Sequence, residues 1–114
     1  MDAFEELEVW KRSCRLSVNI YKQFCDCKDF GFRDQVTRSA LSVPSNIAEG
    51  YERNSRKEYL RFLKIAKGSS GELRTQLYIG FEAGFLPKEV FVSSKKEAEE
   101  ISRMLQGIIN KLQE

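Results

Sequence analysis

Seven basic residues fall between Arg53 and Arg74: Arg53, Arg56, Lys57, Arg61, Lys64, Lys67 and Arg74. Only Glu58 and Glu72 oppose them there, so seven less two leaves +5 in a chain whose net charge is +2. At 100° per residue the seven occupy an arc of about 140°, away from the apolar residues of the same segment. Such a stripe is the electrostatic footprint that binding to a nucleic-acid backbone requires. It is equally the make-up of a solvated helix face that acids on neighbouring helices partly neutralise. A second polar group lies upstream: Gln35, Arg38, Ser42, Ser45, Asn46 and Glu49. Asn46 can bond two ways at once, and Glu49 can pair with Arg38 or Arg53. These residues form either an interhelical hydrogen-bond network that sets register or a ligand or interface surface.

Catalysis finds little to work with. The chain has no histidine, which excludes Ser-His and Cys-His dyads, imidazole metal ligands and a histidine base. Glu49, Glu58 and Glu72 could meet across facing helices, but di-metal bundles use Glu-x-x-His motifs. Glycine-rich phosphate loops, nucleophile elbows and Walker motifs are absent from the sequence. The three cysteines, Cys14, Cys25 and Cys27, are an odd number. Cys25-Asp26-Cys27 has no second pair to complete a zinc site. Reduced thiols in a cytoplasm are expected, with no metal and no cofactor. No apolar run reaches membrane-spanning length, and the acidic N-terminus does not read as a targeting sequence.

The elements that must carry these residues are helices. A chain of 114 residues with 41% hydrophobic residues and only two prolines suits one domain, residues 1–114, built from a few long helices. Helix one is predicted from Glu5 to Cys25. Leu7, Trp10, Cys14, Ser17, Tyr21 and Phe24 make one stripe at 3–4 spacing, and Val9, Ser13, Leu16 and Ile20 make another about 100° away. Either the helix is buried on one wide face, or one stripe packs inside and the other, through Val9, Leu16 and Ile20, meets a neighbouring subunit. Lys28 to Gly31 is a connector.

Helix two is predicted from Arg33 to Tyr51, with a kink or a restart at Pro44, whose ring clashes with the carbonyl four residues back. Gly50 can close it in a left-handed conformation. Glu52-Arg53-Asn54 is the turn, and Ser55 with Glu58 forms a capping box. Helix three follows from Arg56 to Ala83, with Gly84 as the residue past its end. Gly68-Ser69-Ser70-Gly71 lies in its middle. Two glycines there cost about 1 kcal/mol each against alanine. Close approach of another helix would offset that cost; a loop splitting the helix is the alternative. Pro87 opens helix four at its first helical position. Phe91, Ser94, Ala98, Ile101, Leu105, Ile108 and Leu112 then keep heptad spacing, although Ser93-Ser94 could loosen the first turn. Four long helices with short connectors imply an antiparallel up-down-up-down bundle.

Several segments together resemble a known bacterial family. They are Leu7-Glu8-Val9-Trp10-Lys11, Arg38-Ser39-Ala40, Ser42-Val43-Pro44-Ser45-Asn46-Ile47-Ala48-Glu49-Gly50, Phe62-Leu63-Lys64-Ile65-Ala66-Lys67-Gly68-Ser69, Glu72-Leu73, Gln76-Leu77 and Glu100-Ile101-Ser102-Arg103-Met104-Leu105. The family is the four-helix-bundle group that includes proteins encoded in intervening sequences of 23S ribosomal RNA genes, also labelled S23 ribosomal proteins. The resemblance spans essentially the whole chain and departs only from Val90 to Ser94. It implies a bundle assembling as a ring-like homopentamer. The fold is also similar to the accessory protein of diversity-generating retroelements, a basic pentamer that engages reverse transcriptase and nucleic acid. The resemblance therefore implies association with RNA or DNA, or with a nucleic-acid enzyme, and no membrane.

Overall fold

The computed structural model describes residues 3–114. Those residues form a short 3-10 turn, Phe4–Glu6, and four helices: α1 (Glu8–Gln23), α2 (Phe30–Glu52), α3 (Arg56–Glu82) and α4 (Lys88–Leu112). No strand occurs among the described residues. Helix α1 touches α2 and α4, α3 touches the same two, and α1 and α3 occupy opposite corners. The core is mostly aliphatic, with Ile20, Ile47, Leu63, Leu77 and Leu105 fully buried together with the Phe24 ring. Among the described residues, no helix is long and apolar enough to cross a membrane.

Local chemistry explains most boundaries. Leu7 is extended, so the predicted start at Glu5 splits into the 3-10 turn and α1. Helix α2 begins before Arg33, because Asp29 caps it: its Oδ1 accepts from the Phe32 amide at 3.0 Å. The aspartate satisfies an orphan donor of the first turn, and Gly31 is simply helical. Pro44 neither breaks nor restarts α2, which runs unbroken through it. Proline forfeits one backbone bond, while Val43 and Ile47 beside it are buried and hold the turn against the core. Ser55 Oγ accepts from the Glu58 amide at 3.2 Å, half of the expected capping box.

Glycines divide into those the packing requires and those it does not. Gly84 has φ +85, and the Phe85 amide donates to the Gly80 carbonyl while that of Gly84 donates to Phe81. This is the Schellman closure that a left-handed residue permits. Gly50, expected to close α2 in the same way, is instead helical; Asn54 takes the positive φ, 53°. What Gly50 supplies is room, since a Cβ there would lie 2.5 Å from Phe62 Cβ.

Helix α3 is one helix through Gly68-Ser69-Ser70-Gly71, so the splitting loop is not seen. The expected close approach at the glycines is not seen either: a Cβ on Gly68 would meet nothing within 4 Å. The serines make the close seams instead. Ser69 Oγ shares a 2.8 Å hydrogen bond with Ser42 of α2. Ser70 Oγ donates to the Ala98 carbonyl of α4 and accepts from Ser102 at 2.8 Å. Pro87 is the N-cap of α4 rather than its first helical residue, and Ser93-Ser94 is regular helix. Burial along α4 passes from Ile101 and Leu105 to Ile109 rather than Ile108, because a straight helix of 3.6 residues per turn drifts from a strict heptad.

Candidate nucleic-acid interface

Helix α3 places its basic residues on one side, as the periodicity requires, but neighbouring groups already hold most of them. At the α2–α3 turn, Arg53 and Arg61 flank the Phe62 ring, with guanidinium carbons 5.1 and 4.4 Å from its centroid. Arg53 pairs with Glu49 at 2.8 Å and lies 3.6 Å from Glu58. Arg61 pairs with Glu58 at 3.2 Å. The hydrogen bond from Arg61, then the nearby positive charges, hold the Glu58 carboxyl below its usual range. Arg56 Nε donates to the Leu112 carbonyl at 2.9 Å, so it serves an open carbonyl at the C-terminus of α4. Lys67 donates to Gln106 Oε1. Arg74 lies 3.9 Å from Glu99, and its Nε is buried without an acceptor among the described residues; it belongs to the α3–α4 seam.

Lys57 and Lys64 remain. Both are exposed and form no ion pair within the described residues. With Arg61 between them they make a ridge at i, i+4 and i+7, about 10 Å long at the helical rise. Lys64 also borders a shallow groove with Gly68, Gln106, Ile109 and Gln113.

The polar group on α2 divides in the same way. Asn46 Nδ2 donates to the Ser42 carbonyl at 2.8 Å and to Ser42 Oγ at 2.9 Å, and Ser42 reaches Ser69. One turn away, Ser39 Oγ donates to Glu72 at 3.0 Å. Asn46 and Ser42 are thus register-setting contacts between α2 and α3. Glu49 pairs with Arg53 and not with Arg38, which is exposed and without an ion pair among the described residues. Glu49 and Glu58 meet only across Arg53, Glu72 lies apart on Ser39, and no group of metal-ligating side chains occurs among the described residues. Tyr51 stacks edge-on to Tyr59, with centroids 5.6 Å apart, and burial raises the Tyr59 hydroxyl pKa.

The assignment of Val9, Leu16 and Ile20 to a subunit interface does not stand. They are 2%, 6% and 0% exposed within the single chain. Their stripe points into the core, and so do Ser17 and Phe24 of the other stripe, so α1 is buried on one wide face. Cys14 and Tyr21 of that other stripe, with Val18, line the outside of the α1–α2 groove, where desolvation raises the Cys14 thiol pKa.

One ion pair had no counterpart in the sequence reading. Arg12 grips Glu97 with two bonds, Nε to Oε2 at 2.9 Å and Nη2 to Oε1 at 2.7 Å. Its partner is 85 residues away, beyond any local pattern. The Arg12 hydrogen bonds hold the Glu97 carboxyl below its usual range. A depressed folded-state pKa contributes stability above the unfolded-state value and loses it as pH falls through the folded one. Arg12→Gln is therefore expected to cost about 1 kcal/mol at pH 7, discounted for partial exposure, and much less at pH 3. Urea melts at the two pH values check this; an equal loss at both would contradict it.

Residues 5–107 match the protein family described as 23S rRNA-intervening sequence protein. The chain is also similar to a crystal structure of a protein of unknown function from the S23 ribosomal protein family of Bacteroides thetaiotaomicron. The two share 28% identity over 89% of this chain and 97% of that one, with a TM-score of 0.83. No curated protein matches.

Proposed function

The chain belongs to the 23S rRNA-intervening sequence protein family, and we propose that it is a non-enzymatic homo-oligomer that associates with nucleic acid, RNA foremost, through the basic face of α3. The carrying observation is the exposed Lys57–Arg61–Lys64 ridge, whose two lysines have no partner in the described chain. Arg53 and Arg61 add to its field, since exposed ion pairs exchange readily for phosphate contacts. The family's name, with its reference to ribosomal RNA, is the further support for RNA.

Assembly strengthens the reading. A ring-like homopentamer repeats the ridge and multiplies the local field. The antiparallel up-down-up-down reading is supported by the cross-helix pairs, in which residue number rises on one helix as it falls on the next: Arg56–Leu112, Lys67–Gln106 and Ser70–Ala98. A sequence without histidine fits a role without acid–base catalysis, and an odd number of cysteines fits a reducing cytoplasm.

Five of the seven basic side chains are engaged within the chain. This favours a second reading, in which the oligomer is a scaffold for a nucleic-acid enzyme such as a reverse transcriptase and does not touch the nucleic acid itself.

Fluorescence anisotropy of a labelled structured RNA across a salt series separates the two, with mass measured on the same sample. Direct binding is expected to weaken linearly in log–log form with salt. Lys57→Glu with Lys64→Glu should weaken it by about tenfold or more, on the order of 1.4 kcal/mol, with helicity intact. Absence of binding at low salt, or an affinity indifferent to the double change, would leave the scaffold.

A further inference from the structure

Helix α1 meets α4 across a polar cavity of about 380 Å³. From α1 it is lined by Arg12, Arg15, Leu16 and Asn19, which share one face at helical spacing. From α4 it is lined by Ser93, Ser94 and Glu97. The two serines are too small to close the seam against α1, and the space stays open beside them. The cavity lies away from the basic face of α3, because α1 and α3 occupy opposite corners.

Its polar groups divide into engaged and unengaged. Arg12 is engaged: Nε and Nη2 hold Glu97, and Nη1 reaches Met104 Sδ at 3.5 Å. Ser93 Oγ donates to the Val90 carbonyl at 3.4 Å. The Arg15 guanidinium, the Asn19 amide and the Ser94 hydroxyl make no hydrogen bond or ion pair among the described residues. Arg15 acts on Glu97 only through space. Ser94 is only 7% exposed, and a hydroxyl so deeply placed is nearly always bonded. Two guanidiniums line the cavity against one carboxylate, which Arg12 already neutralises. The charge left over is the Arg15 cation, and the groups left over are mostly donors.

We propose that this cavity binds a small organic phosphate, with Arg15, Asn19 and Ser94 holding the phosphoryl oxygens. A guanidinium offers paired N–H donors that match two phosphate oxygens. The Ser94 hydroxyl comes from the facing helix and suits a further oxygen. Donors from two sides fit a tetrahedral group, whereas a planar carboxylate would be satisfied by Arg15 alone. The organic part follows from size: the volume is several times that of a phosphate ion and falls within the roughly 300–1,000 Å³ of small-molecule sites. Leu16, on the same wall, gives the organic part an apolar surface. Glu97 stays on Arg12, and that bidentate pair keeps it from repelling the ligand. The site goes beyond nucleic-acid association and does not depend on it.

Calorimetric titration of the full chain with adenosine monophosphate, inorganic phosphate and adenosine tests it. The monophosphate should bind at one per chain, inorganic phosphate should bind about tenfold more weakly, and adenosine should give no signal. Arg15→Gln should weaken the monophosphate about tenfold or more, and Ser94→Ala by about threefold to tenfold. Both variants should keep their helicity by circular dichroism, since Arg15 is exposed and Ser94 bonds nothing in the free chain. Ser94→Ala should also keep its urea midpoint, which separates a lost ligand contact from a damaged fold. Lys22→Gln removes a cation from another side of α1 and should change the affinity by less than about twofold. Absence of binding by both phosphates at millimolar concentration would mean that the cavity holds only water and would overturn the proposal. Adenosine binding as well as its monophosphate would overturn the role of the phosphate, and inorganic phosphate binding as tightly would overturn the organic ligand. An affinity unmoved by Arg15→Gln, or lowered equally by Lys22→Gln, would put the phosphate elsewhere on the surface and overturn the site.

Discussion

Phe24→Ala is expected to destabilise the bundle by about 3–5 kcal/mol, the range for deleting a buried aromatic ring. Phe24 is 0% exposed at the end of α1. Its ring meets Phe32 of α2 edge-on at 5.7 Å, and Phe32 in turn meets Phe85 of the α3–α4 turn at 5.1 Å. Three rings thus tie three elements together at one end. Removing the first leaves a cavity and releases Phe32, which also fills the space beside Gly80. A domain holds only about 5–15 kcal/mol in total, so the variant should show a much lower urea midpoint. A loss under about 1 kcal/mol would mean that the end of α1 frays at little cost and that the ring cluster is incidental.

The second large effect separates two glycines that both lie inside helices. Gly50→Ala is expected to destabilise by about 1–3 kcal/mol, the usual penalty for overpacking. The new Cβ would lie 2.5 Å from Phe62 Cβ and 3.4 Å from Tyr59 Cα. Neither atom is the free end of a flexible side chain, so the first turns of α3 would have to move. Phe62 is also the ring between Arg53 and Arg61, so the shift would disturb the turn beside the basic ridge. Gly68→Ala is the control. It too lies inside a helix, but its Cβ would meet nothing within 4 Å, and the gain in helix propensity should stabilise by about 1 kcal/mol. Thermal or urea melts of the pair should therefore shift in opposite directions. Shifts of the same sign would show that propensity, not the α2–α3 approach, governs Gly50.

The basic ridge shows what happens to charge when a helix is placed among neighbours. Helical periodicity puts six of the seven cations on one arc wherever α3 packs, while Arg53 sits at the end of α2. Which of them stay available depends on groups far away in the chain: the end of α4 for Arg56, Gln106 for Lys67 and Glu99 for Arg74. The ridge that remains is Lys57, Arg61 and Lys64, shorter than the sequence stripe.

Four helices, their approximate spans, the Ser55 cap and the Gly84 closure were legible in the sequence, because each rests on contacts within a few residues. Apolar spacing at 3.6 residues, a hydroxyl three residues from an amide and a glycine past a helix end are all local quantities. The Asp29 cap was equally local but was masked by Gly31, which reads as a breaker until the aspartate is seen to satisfy the first turn. Only tertiary structure decided that Val9, Leu16 and Ile20 of one α1 stripe face inward together with Ser17 and Phe24 of the other, since both stripes have the right period and the choice depends on what α2 and α4 present. It also decided that Gly50 gives room to Phe62 instead of ending a helix, that Ser69 and Ser70 rather than the flanking glycines join α3 to its neighbours, and that Arg12 finds Glu97. Each of these depends on which residues meet across the bundle, and that is set by the packing of all four helices at once.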